Sequence, residues 1–374
     1  MKVLVVTGIF PPDHGGPASY VPFIADAFIK RGHDVVSVVT LSDCINENEI
    51  YSFPVLRILR GGLRFLRFFK TIYIISKLAK SSDIVYLNGL VLEGIVACKI
   101  FARKPTVIKV VGDLIWEKAR NRKSSSLELE EFQIAKLSLY WTFLRYLQRL
   151  YSRFADAVIV PSKYLGGIVN QWGVSSNKVD VVYNAVSIDE SRTKILSEQP
   201  YDLVTVARLV PWKGLSDLVR LSSEINCSLL IVGDGPIRKE LEDQVRKFNA
   251  RVDFVGNVPH DAVAGKIKSG KLFVLNSTYE GLPHIILEAK ATSTAVLASS
   301  AGGTVETINH GIDGLLIPVG DFSKLKESVT ELLENRKMRF ALAEAGFNHV
   351  KKDFGIDLQI DSTIKVLQKI CGKK

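Results

Sequence analysis

Two glutamates, Glu280 and Glu288, lie eight residues apart in the stretch TYEGLPHIILEAK, a spacing that could place two carboxylates against one ligand. Pro283, between them, suits the first position of a helix, and Glu288 would then fall within the helix, near its start. The amides of Gly281 and Leu282 would form a positive helix N-terminus that attracts an anion. Because carboxylates accept hydrogen bonds from hydroxyl groups, the stretch predicts contact with an elongated ligand that carries both sugar hydroxyls and phosphates.

Two cations follow a predicted strand in the second half of the chain, within VARLVPWKGLSDL. Arg208 lies just past the strand, and Lys213 comes five residues later, before a helix. Two positive charges are costly to hold close together unless an anion joins them, and a diphosphate fits both a planar guanidinium and an ammonium. Separate surface salt bridges are the alternative.

Glycines follow two further predicted strands. Gly15 and Gly16 precede a helix, and because they have no Cβ their amides could approach an anion. A tight turn alone is the alternative. The pattern is not the GxGxxG fingerprint, which disfavours a dinucleotide oxidoreductase. Gly233 and Gly235 lie in a strand-to-helix turn before Pro236 and by themselves indicate only turn chemistry.

The length of 374 residues exceeds the size at which one hydrophobic core usually keeps growing, so two domains are expected. The four cysteines are scattered without metal-ligand spacing, which predicts reduced thiols in a cytosolic protein. The apolar run at the start halts at Pro11 and indicates a buried strand rather than a signal peptide. The sequence has no run of 18 apolar residues, so no membrane-spanning helix is expected.

The formal net charge is +10, and most of the excess lies in the first half of the chain. Residues 57–80 mix seven basic side chains with four aromatic ones, which suits an anionic membrane surface. The charges form no single helical stripe, however, and Gly61-Gly62 interrupts the segment, so a packed helix with solvated arginines is the alternative. Nucleic acid is disfavoured because the sequence carries none of the usual binding signatures.

Short apolar runs alternate with longer helical patterns, which predicts parallel sheets covered by helices on both faces. The polar segment from Ser187 to Pro200 indicates a linker between two such units. The expected fold is α/β, with two tandem Rossmann-like doubly wound domains whose ligand lies in the cleft between them. The predicted strands are KVLVVTG, DVVSVVT, DIVYLNG, TVIKVVGD, DAVIVPS and VDVVYNA in the first unit, and YDLVTVARL, CSLLIVGDG, ARVDFVG, KLFVLNS and AVLASS in the second. The predicted helical stretches include Tyr20 to Arg31, Glu93 to Arg103, Leu127 to Phe154 and Leu325 to Lys374.

Six ordered motifs resemble those of family 4 of the retaining GT-B glycosyltransferases. They are RGHDVVSVVT, VVYNAVSID, VARLVPWKG, LLIVGDGPIRKELE, VDFVGNVPH and YEGLPHIILEA, the last followed by AGGTVETINHGIDGLLIPVGD. The resemblance runs over nearly the whole chain and implies an N-terminal acceptor-binding domain over residues 1–186. It also implies a C-terminal donor-binding domain over residues 187–354, with a helix at about 355–374 packed back on the first domain.

The same resemblance implies roles for the residues singled out above. Glu280 would contact hydroxyls of the transferred sugar, and Glu288 the ribose of a UDP- or GDP-sugar donor. Arg208 and Lys213 match the cations that neutralise the leaving diphosphate, and Gly15-Gly16 matches the loop that closes on it. Gly233 and Gly235, in the motif LLIVGDGPIRKELE, are expected to contact the donor as well. No metal or other cofactor is expected, because the cations take its place and the chain has no Asp-x-Asp triplet.

On the acceptor side, Val110-Val111 occupy the place where many members of the family have a histidine. Asp113, in KVVGDLIWEK, could position or deprotonate the acceptor hydroxyl. Capping of the next helix is the alternative role.

The activity implied is transfer of a hexose-type sugar with retention to a glycan or lipid-linked acceptor, in bacterial cell-surface polysaccharide or glycolipid synthesis. The expected location is cytoplasmic and peripheral at the inner membrane face. Two alternatives stay open. One is an enzyme of the same architecture with another reaction, such as a sugar-nucleotide epimerase, and the other is a protein that binds nucleotide-sugar without turnover.

Overall fold

The computed structural model describes residues 1–13, 15–43, 50–188 and 199–372. In this part of the chain the strands form two parallel sheets, of seven and six strands. The first sheet contains β1 (Lys2–Thr7), β2 (Asp34–Ser42), β3 (Val55–Leu59), β4 (Ile84–Asn88), β5 (Thr106–Lys109), β6 (Ala157–Val160) and β7 (Val179–Val181). The second contains β8 (Tyr201–Val206), β9 (Leu229–Val232), β10 (Val252–Gly256), β11 (Gly270–Leu275), β12 (Ala295–Ser299) and β13 (Leu315–Ile317).

The two sheets share one plan. Their strand orders are β3-β2-β1-β4-β5-β6-β7 and β10-β9-β8-β11-β12-β13, so in each the order reverses beside the sheet's first strand. In sheets of this kind, ligands bind beyond the carboxyl ends of the strands at that reversal. The structure therefore confirms the predicted pair of Rossmann-like α/β domains.

Helices cover the sheets. Those from the first half are α1 (Gly16–Lys30), α2 (Arg64–Ala79), α3 (Val91–Val96), α4 (Leu114–Asn121), α5 (Leu129–Ile134), α6 (Leu139–Phe154) and α7 (Lys163–Gln171). Those from the second half are α8 (Leu215–Glu224), α9 (Arg238–Phe248), α10 (His260–Lys268), α11 (His284–Ala291), α12 (Phe322–Glu334), α13 (Arg336–Asp353) and α14 (Ile356–Cys371). A π-helical segment, Ala97–Ala102, continues α3.

The central strands are buried along their whole length because helices cover both faces of each sheet. In β4 every residue is buried, and in β1 only Lys2 is exposed. Burying one Val or Leu side chain fully is worth about 1.5–3 kcal/mol, so these apolar runs dominate the stability of both domains. This is why continuous apolar runs in the sequence identified the central strands.

The last helix, α14, packs on the first sheet rather than on the second. Ile360, Ile364 and Leu367 belong to the hydrophobic core that also contains Val3 and Val5 of β1. Arg31 pairs with Asp357 at 2.7 Å across the same contact. The end of the chain thus returns to the domain that contains its beginning.

Residues 57–80 do not form one helix, contrary to one interpretation of that segment. Val55–Leu59 is an edge strand paired in parallel with β2, because its alternating side chains suit a strand. Arg57 donates to the carbonyl of Pro11 at 2.8 Å, and Arg60 pairs with Asp13. Only the part from Arg64 onward is helical, so the basic helix is shorter than predicted.

Two further elements differ from prediction. The stretch from Leu127 to Phe154 contains two helices, α5 and α6, because the backbone at Ala135 is extended with ψ near 151°. Strand β13 was not predicted, since only three residues form it. Cys98 and Cys227 are buried free thiols, whereas Cys44 and most of the predicted linker lie outside the described residues.

Candidate functional site

An ion pair joins the loop after β8 to the loop after β11. Lys213 Nζ donates to Glu280 Oε1, and Ser277 Oγ donates to the same oxygen at 2.6 Å. Glu280 is only 8% exposed, and a carboxylate buried to this extent is costly without such partners. The structure therefore brings together two residues that the sequence placed 67 positions apart.

A glycine allows these two loops to meet. Gly214 follows Lys213 with φ near 60°, and a Cβ on it would lie 1.9 Å from the carbonyl oxygen of Asn276. No side chain fits there. Beside this contact, Thr278 donates its backbone N–H to the carbonyl of Trp212 at 2.8 Å. The close approach of backbone to backbone is what places the lysine against the glutamate.

Arg208 lies on the same loop after β8 as Lys213, and it is exposed. Its position depends on Gly233 and Gly235. A Cβ on Gly233 would lie 2.0 Å from the carbonyl oxygen of Ala207, and a Cβ on Gly235 would lie 2.3 Å from that of Leu209. The structure thus gives these two glycines a packing role beneath Arg208. Their contact with a donor stays a prediction.

The turn between the two glutamates faces the first domain. Pro283 is the N-cap residue of α11, and Ser162 Oγ donates to the carbonyl of Gly281 at 2.6 Å. A Cβ on Gly281 would lie 2.8 Å from the carbonyl oxygen of Val111. Within the described residues, the amides of Gly281 and Leu282 donate no hydrogen bond. They are therefore free to bind an anion at the start of α11.

Glu288 lies on α11 and lines a cavity between the domains with a volume of about 650 Å³. His284 lies beside it, with Nδ1 2.9 Å from Glu288 Oε1 and Nε2 2.6 Å from the carbonyl oxygen of Ala185. A carbonyl only accepts, so Nε2 donates to it. Gly16, at the start of α1, lines the opposite wall of the cavity, and Gly15 is the N-cap residue of that helix.

Helix α11 is fixed from behind by buried charges. Lys290 Nζ pairs with Asp313 and donates to the carbonyl of Thr307 at 2.6 Å. Asp313 also contacts His349 of α13 at 2.7 Å. These hydrogen bonds outweigh the effect of burial and hold the pKa of Asp313 at about 2. The helix that carries Glu288 is therefore rigidly placed.

Asp113 is 1% exposed and caps α4. Its carboxylate accepts from the backbone amides of Ile115 and Trp116 at 3.0 and 3.1 Å. It also accepts from the side-chain amides of Gln133 and Gln148 at 2.9 and 3.0 Å. Of the two roles considered for this residue, these contacts match the helix cap.

Glu117, one turn after Asp113, is an acidic residue of the site that the sequence analysis missed. Burial, with the negative charge of Asp113, raises its pKa to about 7, against the opposing effect of Arg208 and Lys213. A Cβ on Gly112 would lie 2.6 Å from Glu117 Oε1, so the carboxyl group fills the space of a missing side chain. The spacing of four residues on one helix face was the signal that could have found it.

Aromatic side chains from both domains meet beside these charges. The ring of Trp116 lies 5.5 Å from that of Trp212 and 4.5 Å from that of Tyr279. The Tyr279 hydroxyl is buried and has no hydrogen-bond partner among the described residues. Periodicity could not reveal this cluster, because its members come from three segments that are far apart in the sequence.

The described residues contain no group of three or more His, Cys, Asp or Glu side chains placed to hold a metal ion. None of their helices combines the length and the apolar character needed to cross a bilayer.

We predict that Glu117→Gln flattens the pH dependence of stability. The folded-state pKa of about 7 lies above the usual 4.5, so the wild-type free energy of unfolding should fall as pH rises between these values. Glutamine carries no charge, so at pH 8 the free energy of unfolding of the variant should exceed that of wild type by roughly 1–3 kcal/mol. Urea unfolding at pH 5 and pH 8 measures this, with the exposed Glu344→Gln as control. Equal pH dependence in variant and wild type would contradict the placement of Glu117.

Comparison with known proteins agrees with this geometry. A model of the glycosyltransferase family 4 domain matches residues 14–190, and a model of the group 1 glycosyl transferases matches residues 187–349. An uncharacterized glycosyltransferase of Methanocaldococcus jannaschii is 28% identical over 94% of each chain. A GDP-mannose-dependent monoacylated α-(1-6)-phosphatidylinositol monomannoside mannosyltransferase of Corynebacterium glutamicum is 28% identical over 43% of this chain and 45% of its own.

A solved structure shares the whole architecture. The Anabaena protein HepE, crystallised with UDP and glucose, superposes with a TM-score of 0.77 at 22% identity and covers 98% of this chain and 99% of its own. The two family models meet where the two sheets adjoin in sequence, and together they span both domains. The chain belongs to the GT-B glycosyltransferases of the family 4 type.

Proposed function

We propose that this glycosyltransferase moves a hexose from a nucleoside-diphosphate sugar to an acceptor hydroxyl, with retention of anomeric configuration and without a metal ion. The observation that carries the proposal is the ion pair between Lys213 and Glu280. It lies beyond the carboxyl ends of the second sheet and faces the first domain. Arg208 lies close enough to act, with both of them, on the titration of Glu117.

The two cations would hold the donor diphosphate. Arg208 is exposed and free to turn towards an anion, while Lys213 exchanges part of its contact with Glu280 for a phosphate oxygen. The open amides of Gly281 and Leu282 add donors at the same position. As the bond from sugar to phosphate breaks, these groups stabilise the growing negative charge, which is typically worth about 10²–10³ in rate per donor group.

The glutamates would bind the two ends of the donor. Glu280 accepts hydrogen bonds from Lys213 and Ser277, and a sugar hydroxyl can replace one of them without leaving the carboxylate unpaired. Glu288 lines the interdomain cavity, where it would accept from the ribose hydroxyls. Two similar proteins support a UDP- or GDP-hexose as donor. HepE was crystallised with UDP and glucose, and the Corynebacterium glutamicum mannosyltransferase depends on GDP-mannose.

Retention would follow from attack on the face that the phosphate leaves. The acceptor oxygen bonds to the anomeric carbon as the phosphate departs, and the acceptor proton passes to a phosphate oxygen. Two acidic residues are unsuited to form a covalent intermediate: Asp113 is engaged by four hydrogen bonds, and burial favours the protonated form of Glu117. An NMR analysis of the product decides the configuration. It also separates transfer from epimerisation and from binding without turnover.

We predict that one class of nucleotide-sugar stabilises the protein in a thermal-shift panel of UDP-, GDP- and ADP-hexoses. Lys213→Met should abolish most of the shift because a phosphate contact is lost, and Glu288→Gln should reduce it because the ribose contact weakens. Lys239→Met, an exposed lysine on α9, is the matched control and should keep the full shift. A chelator should leave both the shift and the turnover unchanged.

Two outcomes would contradict the assignment. Wild-type shifts in both site variants would show that the donor binds elsewhere. Loss of turnover in a chelator, with recovery on adding a divalent cation, would show that the two side-chain cations do not replace a metal.

An exposed apolar surface on the first domain supports a lipid-linked acceptor. Helix α2 exposes more than half of Phe65, Leu66, Phe69 and Tyr73. The π-helical segment, which packs beside α2, adds the exposed side chains of Ile100 and Phe101. Helix α6, which packs against α3, exposes Tyr140, Phe143 and Tyr146. Exposed lysines and an arginine on and beside α2 accompany these rings. Such a surface suits the headgroup region of an anionic bilayer, here the inner membrane face of a bacterium.

We predict that the protein sediments with vesicles that contain phosphatidylglycerol and not with pure phosphatidylcholine. The triple variant Arg64→Gln, Lys70→Gln, Lys77→Gln should lose most of this binding, since each basic residue near an anionic surface contributes about 1 kcal/mol. The control removes the same charge from the second domain through Lys239→Gln, Lys247→Gln and Lys337→Gln. Equal sedimentation of the two triple variants would rule out this surface as the membrane contact.

A further inference from the structure

Lys109, the last residue of β5, lies in the wall of the interdomain cavity although only 7% of it is exposed. Its Nζ sits over the ring of Tyr20, 3.3 Å from the ring centroid. Among the described residues, no hydrogen bond or ion pair reaches this ammonium. The Tyr20 hydroxyl is already paired with that of Tyr86 at 3.0 Å, so only the ring face is offered to the lysine.

This arrangement leaves a charge underpaired. A buried ammonium without a carboxylate partner is strongly disfavoured, and contact with one ring recovers only about 2 kcal/mol of that cost. Burial alone accordingly lowers the pKa of Lys109 to about 7. At this buried position a leucine or methionine would stabilise the fold more than a lysine does. The lysine is therefore explained best by an anion that binds from the cavity.

A second feature of the same wall favours an anion. Helix α1 begins at Gly16, which lines the cavity, and no acidic side chain lies in the first turn of the helix. The helix has 15 residues, long enough for a full positive partial charge at its N-terminus. A helix N-terminus and an unpaired lysine on one wall are the combination that binds phosphate in many proteins.

We propose that Lys109 and the ring of Tyr20 form a phosphate-binding subsite on the first domain, beside the start of α1 and in addition to Arg208 and Lys213 on the second domain. The subsite rests on the proposed function for its ligand, because both substrates of that reaction bring phosphate. One source is the diphosphate of the donor, whose ribose end lies at Glu288 across the cavity. The other is a phosphate of a lipid-linked acceptor.

The cavity is suited to either source. Its volume of about 650 Å³ is within the range that holds a nucleotide or a prenyl phosphate. His284 and Glu288 form the facing wall, and neither is within ion-pair distance of Lys109. A phosphate at Lys109 would therefore bridge the two domains and favour their closed arrangement.

The test is a calorimetric titration of wild type, Lys109→Met and Lys109→Arg with UDP, uridine and geranyl diphosphate at pH 7. Methionine matches the length of the lysine without charge, and removal of the buried ammonium should leave the thermal midpoint unchanged or higher. The control, Lys118→Met, removes an exposed lysine from α4 of the same domain. Arginine keeps a positive charge and should restore most of the binding lost in the methionine variant.

Lys109→Met should weaken the binding of one diphosphate at least tenfold and leave uridine binding unchanged. A loss confined to UDP assigns the phosphate to the donor, and a loss confined to geranyl diphosphate assigns it to the acceptor lipid. Wild-type affinity of Lys109→Met for both diphosphates, or equal weakening for uridine and UDP, overturns the subsite. If Lys213→Met kept the wild-type thermal shift with the nucleotide-sugars, that result would instead refute the proposed function. The two failures can therefore be told apart.

Discussion

The ion pair between Lys213 and Glu280 is the contact on which the rest of the site depends. It places a cation from the loop after β8 against a buried carboxylate from the loop after β11. Backbone packing makes it possible, because only a glycine at position 214 lets the first loop touch Asn276. A charge pair held in this way is ready to exchange partners when an anion and a hydroxyl arrive together, as they do on a sugar diphosphate.

Much of the fold could be predicted from the sequence, because helix-covered parallel strands must be apolar along their length. The runs that became β1, β4 and β11 are of this kind. Edge strand β3 escaped prediction because Arg57 and the apolar residues around it continue directly into a basic helical segment, and no local signal separates the two. The break between α5 and α6 likewise depends on backbone geometry at one alanine, which a helical pattern does not show.

The site itself was only partly predictable. Lys213 and Glu280, which were identified by motif order, come together as an ion pair, and their contact with a donor stays a prediction. Residues whose role depends on burial were not visible. Asp113 had two open roles until its four hydrogen bonds were seen, and Glu117 became relevant only because it packs against Gly112. Lys109 lies in a strand pattern where a lysine would normally be solvated, and its burial depends on contact with Tyr20 of α1.

The two domains offer a ligand different kinds of surface. The second domain offers a preorganised set of charges at strand ends, suited to a small and highly charged donor. The first domain offers exposed aromatic rings with basic side chains around α2 and α6, suited to an amphipathic partner. The cavity between the domains is lined by Glu288 of the second domain and Lys109 of the first. The proposed transfer from a soluble donor to a membrane-bound acceptor would use both kinds of surface.

The division of labour between Lys213 and Glu280 is tested most directly by calorimetry with matched ligands, UDP against UDP-glucose and GDP against GDP-mannose. Lys213→Met should weaken the binding of the nucleoside diphosphate and of the nucleotide-sugar equally, because the ammonium contacts the phosphates. Glu280→Gln should weaken the binding of the nucleotide-sugar only, because the carboxylate of Glu280 contacts sugar hydroxyls. Equal losses for both ligands in Glu280→Gln, or no loss in Lys213→Met, would contradict the account.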